Sequence, residues 1–368
     1  MRINFMVHGK NQHFVPQFYF RNFSSDGTTI CLFNLKNKRF IYNANIKGQC
    51  SDDYFYSRDT SIETVFSSLE GSTREIISKI IEKESLSEVN EEQKQHLKSN
   101  ILLQHGRTQY ARESEEEMAN ALLNYIVPQE LKGARIESTL RDSVLISMLS
   151  GPLLSDLKIV LLENKTQTEF IFSDNPVVFY NSFFNDKVPH GTQGFASTGL
   201  QIYFPLSPRF ALLIFDEDFY EISQSEKITI LKDSDIQRLN GLQIIFCNEH
   251  IYFGNPKMQG KVLEKYKQIK SKRPGQKTIN QVVGSRANED GTHSELWHSS
   301  SPKIKYNLEN LTFLKHKKTD SPYGMRNLEL VEFHYKFLNA FDKGKIKSEE
   351  DMGDFFKSLK NRRTEFSQ

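Results

Sequence analysis

Cysteine is scarce in this chain. Three residues, Cys31, Cys50 and Cys247, are spread over 368 positions with no Cys-x-x-Cys spacing. That excludes a disulfide framework and a thiolate zinc site, and it fits a reducing, cytoplasmic compartment. Long hydrophobic runs are missing too: none approaches the roughly 18–20 residues that span a bilayer, so no membrane partner is expected. The opening MRINFMVHGKNQH has no apolar core followed by a small-residue cleavage site, which speaks against a secretory signal. Also absent are a GxxxxGKS/T phosphate loop, a GxGxxG after a strand, HExxH and GxSxG. A conventional ATPase, a dinucleotide-dependent oxidoreductase, a zincin and an α/β-hydrolase are therefore disfavoured, and no nucleotide cofactor is expected.

What is plentiful is aromatic. With 28 Phe and 14 Tyr, the core is built largely from rings, while a mean hydropathy of −0.54 places part of the chain outside it. The length suits about two domains. Net charge is only +2, but its distribution is uneven. Lys257–Lys318 holds 14 Lys/Arg against 5 Asp/Glu, an excess of 9, so the remainder stands at 2 − 9, or −7. A basic segment on an acidic chain is a candidate contact for nucleic acid or an acidic partner protein. The competing reading is a solvated, flexible insertion.

The centre of the chain is Phe170–Asn181, FIFSDNPVVFYN, where two β-prone runs are interrupted by Ser173-Asp174-Asn175-Pro176. Proline makes that turn stiff, so Asp174 is either a presented carboxylate or a turn-former bonded to nearby backbone N–H groups. Ahead of it, Thr28–Asn34 and Arg39–Asn43 read as a hairpin, Tyr54–Tyr56 as a short strand and Ile62–Glu82 as a helix. Further helices are expected over Asn90–Glu115, Met118–Ile126 and Ala134–Leu149. Short β-runs follow to Phe215, with Ser182–Ser197 a loop that is a candidate lid, then a helix over Asp233–Cys247 and a strand over Ile251–Phe253. Ser271–Pro302, around Trp297, shows little periodicity and reads as flexible. Leu328–Phe341 and Met352–Leu359 restore helical spacing. The expected fold is α+β, a helical layer packed on a mostly antiparallel sheet. Residues 1–255 form the motif-bearing domain, 256–325 a basic, partly flexible segment and 326–368 C-terminal helices.

Four polar positions are the catalytic candidates: His13, Gln104, Arg107 and Asp174. Gln104 and Arg107 stand at i and i+3, on one helix face. A guanidinium there would hold a phosphate and stabilise transition-state charge, and the amide would orient a substrate. His13 or Asp174 would act as base or metal ligand. Glu70 with Asp174 and His13 would make an oxygen/nitrogen site for Mg²⁺ or Mn²⁺, Glu63 being the second helical glutamate on that side. Asn22, Asn175 and Ser207 are candidates for substrate contact. The structural alternative is that Arg107 pairs with Asp174 or Glu70 and ties the helices to the sheet.

The order of these motifs resembles the bacterial domain of unknown function 4238 family. It runs His13-x-x-Pro16 with Phe18–Phe23, Glu63 and Glu70, Gln104-x-x-Arg107-Thr108, Ser173-Asp174-Asn175-Pro176-Val177, Pro205-Leu206-Ser207-Pro208 and Asn240. The resemblance covers about Gln12 to Asn255 and leaves out the basic tail. Gln109 stands where proline is expected after Arg-Thr. The family name implies no activity. Two functional expectations follow from the residues: a nucleic-acid-directed enzyme such as a nuclease-like toxin or phage-defence effector, or a non-enzymatic sensor or protein-binding module whose polar cluster is structural.

Overall fold

The computed structural model describes residues 11–56, 61–126, 141–189, 191–222, 226–288, 291–306, 308 and 310–344. The chain opens with β1 (Asn11–His13), α1 (Gln17–Arg21), β2 (Thr29–Asn34), β3 (Arg39–Asn45) and β4 (Ser51–Asp53). Four helices follow, α2 (Ser61–Lys83), α3 (Glu91–Gly106), α4 (Gln109–Ile126) and α5 (Arg141–Leu149). The β-rich part holds β5 (Lys158–Asn164), β6 (Phe172–Ser173), β7 (Val178–Tyr180), β8 (Gln201–Pro205), β9 (Phe210–Phe215), β10 (Tyr220–Ile222) and β11 (Lys227–Ile230). Then come α6 (Asp233–Phe246), β12 (His250–Phe253), α7 (Gln259–Ile269), β13 (Ile279–Ala287), β14 (His293–Ser300), β15 (Leu314–His316) and α8 (Leu328–Asp342).

Two sheets carry the architecture, one ordered β11-β5-β9-β8-β7 and the other β3-β2-β12-β6. Every pairing in them is antiparallel except β11 with β5. The fold is α+β, with helices on both faces. Alternate residues of a strand point to opposite sides, and here both sides are apolar. On β9, Ala211, Leu213 and Phe215 enter one core with Ile236 and Leu239 of α6 and Val262 of α7. Phe210, Leu212 and Ile214 enter the other with Ile76, Ile77 and Ile80 of α2 and Leu97 and Ile101 of α3. A sheet covered on both faces explains why β9 reads as an unbroken apolar run.

Several boundaries differ from the sequence reading, each for a local reason. The helix expected over Asn90–Glu115 is two helices. Asn90 caps α3 in a reciprocal box with Gln93. Arg107 ends it outside helical geometry, and the Thr108 hydroxyl accepts from the Ala111 N–H to start α4. Position 109, where the resemblance expects proline, is then the first residue of α4, the helical position that tolerates proline best. Tyr54–Tyr56 is a turn rather than a strand, with Tyr54 at φ 55°, and the pairing strand is β4 just before it. Within Ser271–Pro302, where no regular element is expected, β13 and β14 pair as a ribbon, and Trp297 packs on Tyr125 of α4 at 5.1 Å. The loop after β7, the candidate lid, is pinned. Phe183 and Phe184 are buried, and the Asn185 amide donates to the Ile304 carbonyl at 2.7 Å. The expected helical turns Ala134–Leu140 and Met352–Leu359 lie outside the described residues.

Candidate functional site

Arg107 is 2% exposed. Its Nη2 donates to Glu70 Oε1 at 2.8 Å and its Nε to the Phe14 carbonyl at 3.3 Å, while Gln104 Nε2 donates to the same carbonyl at 2.9 Å. The guanidinium also lies 5.1 Å from the Phe66 ring. Burial works against the charge, but Tyr56 and Glu70 outweigh it and hold the Arg107 pKa above its ordinary value. Three elements thus meet on one cation: α2, the end of α3 and the segment after β1. His13 stands beside them, its Nε2 at 3.1 Å from the Lys47 carbonyl and 3.3 Å from the Gln17 amide. Burial lowers its pKa, so it is neutral at pH 7.

The Asp174 corner is where the chain leaves one sheet for the other, since β6 pairs with β12 and β7 with β8. Its carboxylate accepts three backbone N–H groups, from Asn248 at 2.7 Å, Glu249 at 2.6 Å and His250 at 2.8 Å. These groups lie between the end of α6 and β12. Burial pushes this carboxyl up, against the pull of the Glu249 N–H, the nearby His250 ring and the other two donors. Asn175 is spent similarly, donating to the Phe246 carbonyl at 3.0 Å. Helix α6 replaces a strand partner with side-chain amides. Asn240 accepts from the Ile171 N–H and donates to the Glu169 carbonyl, and Gln243 accepts from the Ser173 N–H and donates to the Pro176 carbonyl.

The turn Pro205-Leu206-Ser207-Pro208 is a third joint. Ser207 Oγ accepts from the N–H groups of Arg209 and Phe210, the Pro208 carbonyl accepts from the Phe170 N–H, and the Pro205 carbonyl accepts the Tyr19 hydroxyl. Asn22 caps α1, and its Nδ2 is buried without a hydrogen-bond partner. Apart from the Glu63 side chain, the motifs that carried the resemblance now have a place. Residues 11–257 match the family described as "Protein of unknown function (DUF4238)". The chain belongs to this family. No curated protein and no solved structure matches it.

The DUF4238 motifs are divided between different cavities. Glu70, Gln104 and Arg107 border a gap of about 30 Å³ between α1, α2 and α3, room for about one water. Asp174 borders a separate open depression of about 430 Å³, with Asp52, Arg112, Glu113 and His250 on its walls. Among the described residues no group of three or more His, Cys, Asp or Glu is arranged to hold a metal, so His13, Glu70 and Asp174 do not assemble the expected Mg²⁺ or Mn²⁺ site. The reason is that Glu70 faces Arg107 while Asp174 is turned to the backbone of residues 248–250. The side chain of Glu63 lies outside the described residues. All three cysteines are free and buried. Among the described residues no helix is long and apolar enough to cross a membrane.

The basic excess has a definite address. Between Lys257 and Arg273 there are seven Lys/Arg and a single acid, Glu264, on α7 and the turns flanking it, starting at the last residue of the DUF4238 match. Arg273 is structural, donating to the carbonyls of Ile244, Cys247 and Asn248 at the end of α6. Lys261 is engaged too, with Thr168 and Asp233, but two of the lysines meet at one ring. Lys265 and Lys272 place their ammonium groups 5.8 and 6.0 Å from the Tyr306 ring, whose hydroxyl donates to the Arg238 carbonyl. Lys272 also donates to the Lys305 carbonyl. Burial, then Arg238, then Lys272 lower the pKa of Lys265. This cluster was not singled out from sequence. The available signal was the apolar spacing of Val262, Tyr266 and Ile269, which makes an amphipathic helix of a stretch otherwise notable only for its lysines.

Proposed function

We propose that the protein binds nucleic acid through the cationic face of α7 and that the DUF4238 motifs hold the fold that presents this face. The observation that carries the reading is the crowding of Lys265 and Lys272 around Tyr306, with Arg238, itself paired to Asp235 at 3.7 Å, close enough to repel Lys265. Like charges brought together repel one another, and a polyanionic backbone laid across them relieves that repulsion. Tyr306 and the partly buried Lys265 stem give the patch a fixed shape. The C-terminal ribbon contributes less, since β13 carries Arg286 and β14 carries Glu295.

This reading assigns binding without cleavage. A nuclease built on Arg107 needs its guanidinium free for a phosphate, but its bonds go to Glu70 and Phe14. The test pairs binding with degradation. Single-stranded and double-stranded DNA and RNA are incubated with the protein, with and without Mg²⁺. The expected result is retention of intact nucleic acid by wild type and by Arg107→Ala, and loss of retention in Lys265→Glu/Lys272→Glu. Mg²⁺-dependent cleavage by wild type that Arg107→Ala abolishes would replace this reading with the enzymatic one.

A further inference from the structure

A further cavity lies away from both the motifs and α7. It is a cleft of about 980 Å³ walled by the first half of α3, the start of β5, the end of β9 and the β10–β15 pair. That is the size of a site for a small organic ligand. Its charges divide into those neutralised within the protein and those that are not. Lys94 is bonded to Glu91 at 2.9 Å and Glu226 at 2.7 Å, and Lys158 is paired with Glu217. Lys98, Lys315 and Lys317 have no carboxylate at ion-pair distance among the described residues, although Glu221 stands opposite Lys315 in the β10–β15 ladder.

Lys98 is the telling member. It is 5% exposed, lines the cleft, and gives its ammonium only the carbonyls of Ser155 at 3.2 Å and Leu157 at 2.5 Å. An ammonium has three N–H donors, so two are spent on neutral acceptors. Burial lowers the Lys98 pKa against the opposing pull of Glu91 and Asp156, and a buried cation with no carboxylate bonded to it is costly to keep. Lys315 of β15 and Lys317 just beyond it, two residues apart, line the same cleft, while Leu314 is buried. Phe215, Tyr220 and Phe313 supply apolar wall.

We infer that this cleft binds a small organic phosphate, its phosphate groups held by Lys98, Lys315 and Lys317 and its body laid against Phe215 and Phe313. The site is separate from the α7 face. Lys94 and Lys158 are already paired, while Lys98 bonds only to carbonyls, and a phosphate oxygen would give it a bonded anion.

Titration calorimetry with three probes tests this: adenosine triphosphate, inorganic tripolyphosphate and adenosine. Saturable one-site binding is expected for the first two, tighter for the nucleotide because it also covers the apolar wall, and none for adenosine. Lys98→Met, which keeps the volume and removes the charge, is expected to weaken both by at least tenfold. Lys315→Glu/Lys317→Glu does so by an exposed route that does not risk the core. Lys265→Glu/Lys272→Glu on α7 is expected to leave both affinities unchanged, which separates this site from the nucleic-acid surface. The inference is overturned if neither phosphate probe saturates, if adenosine binds as well as its triphosphate, or if both cleft variants bind as wild type does.

Discussion

At the scale of single residues, the polar groups that look reactive in the sequence are engaged inside the protein. Arg107 and Asp174 each join separate stretches of chain, so their removal reads out as stability. Arg107→Ala strands Glu70 and frees the Phe14 carbonyl, and a loss of about 3 kcal/mol is expected in urea unfolding, the lower end for breaking a buried ion pair. Asp174→Ala leaves three N–H groups without an acceptor and is expected to cost about 3 kcal/mol or more. Asp174→Asn, which keeps one acceptor oxygen, costs less. Unchanged midpoints for Arg107→Ala and Asp174→Ala would show that these groups are held for chemistry. His105 gives a pH signature. Packed against Phe179 at 4.5 Å, it has its pKa lowered by burial to about 4, with a bond to the Val177 carbonyl pulling the other way. The folded state therefore resists protonation that the unfolded chain accepts from about pH 6.5 down. Stability is complete above pH 6.5 and falls as pH drops towards 4, by at most about 3 kcal/mol and less because the ring edge borders a water-accessible pocket. Urea midpoints at pH 7, 5 and 4 should fall more steeply for wild type than for His105→Gln.

At the scale of elements, the joints are close approaches as well as hydrogen bonds. A Cβ on Gly106 would lie 1.9 Å from Ser147 Oγ, so α3 and α5 touch only because that position is glycine. Gly106→Ala is expected to lose about 1–3 kcal/mol, with part of the loss recovered in Gly106→Ala/Ser147→Gly. Equal midpoints for the single and double variants would show that the contact is not the cause. Element identity was largely legible from sequence, because α2, α6 and β9 each carry an apolar period that only one geometry buries. The break at Arg107–Thr108 was not, since the spacing of Leu97, Ile101 and Tyr110 runs through it and a threonine cap looks like any surface threonine. The ribbon β13–β14 was missed for the opposite reason. Val282, Val283 and Leu296 are exposed, so neither strand shows the buried alternation that marks a half-covered sheet. The location of the candidate site was only partly legible. The sequence showed which residues are polar and closely spaced, but partners such as the Phe14 carbonyl and the N–H groups of residues 248–250 have no side-chain signature.

At the scale of the whole molecule, two sheets share two aromatic cores, the DUF4238 motifs fasten them, and the chain after the family region adds a cationic helix. The +9 excess looks diffuse along Lys257–Lys318, but half of its Lys/Arg fall between Lys257 and Arg273, and Lys265 and Lys272 meet beside Tyr306, where we place a polyanion. The most direct measurement is fluorescence anisotropy of a labelled oligonucleotide from about 50 to 200 mM salt, comparing wild type with Lys265→Ala/Lys272→Ala. Removing two phosphate contacts should weaken binding and lower the slope of log affinity against log salt by about 1.4–1.8. Identical slopes and affinities for the two proteins, or no binding by wild type at low salt, would contradict the account.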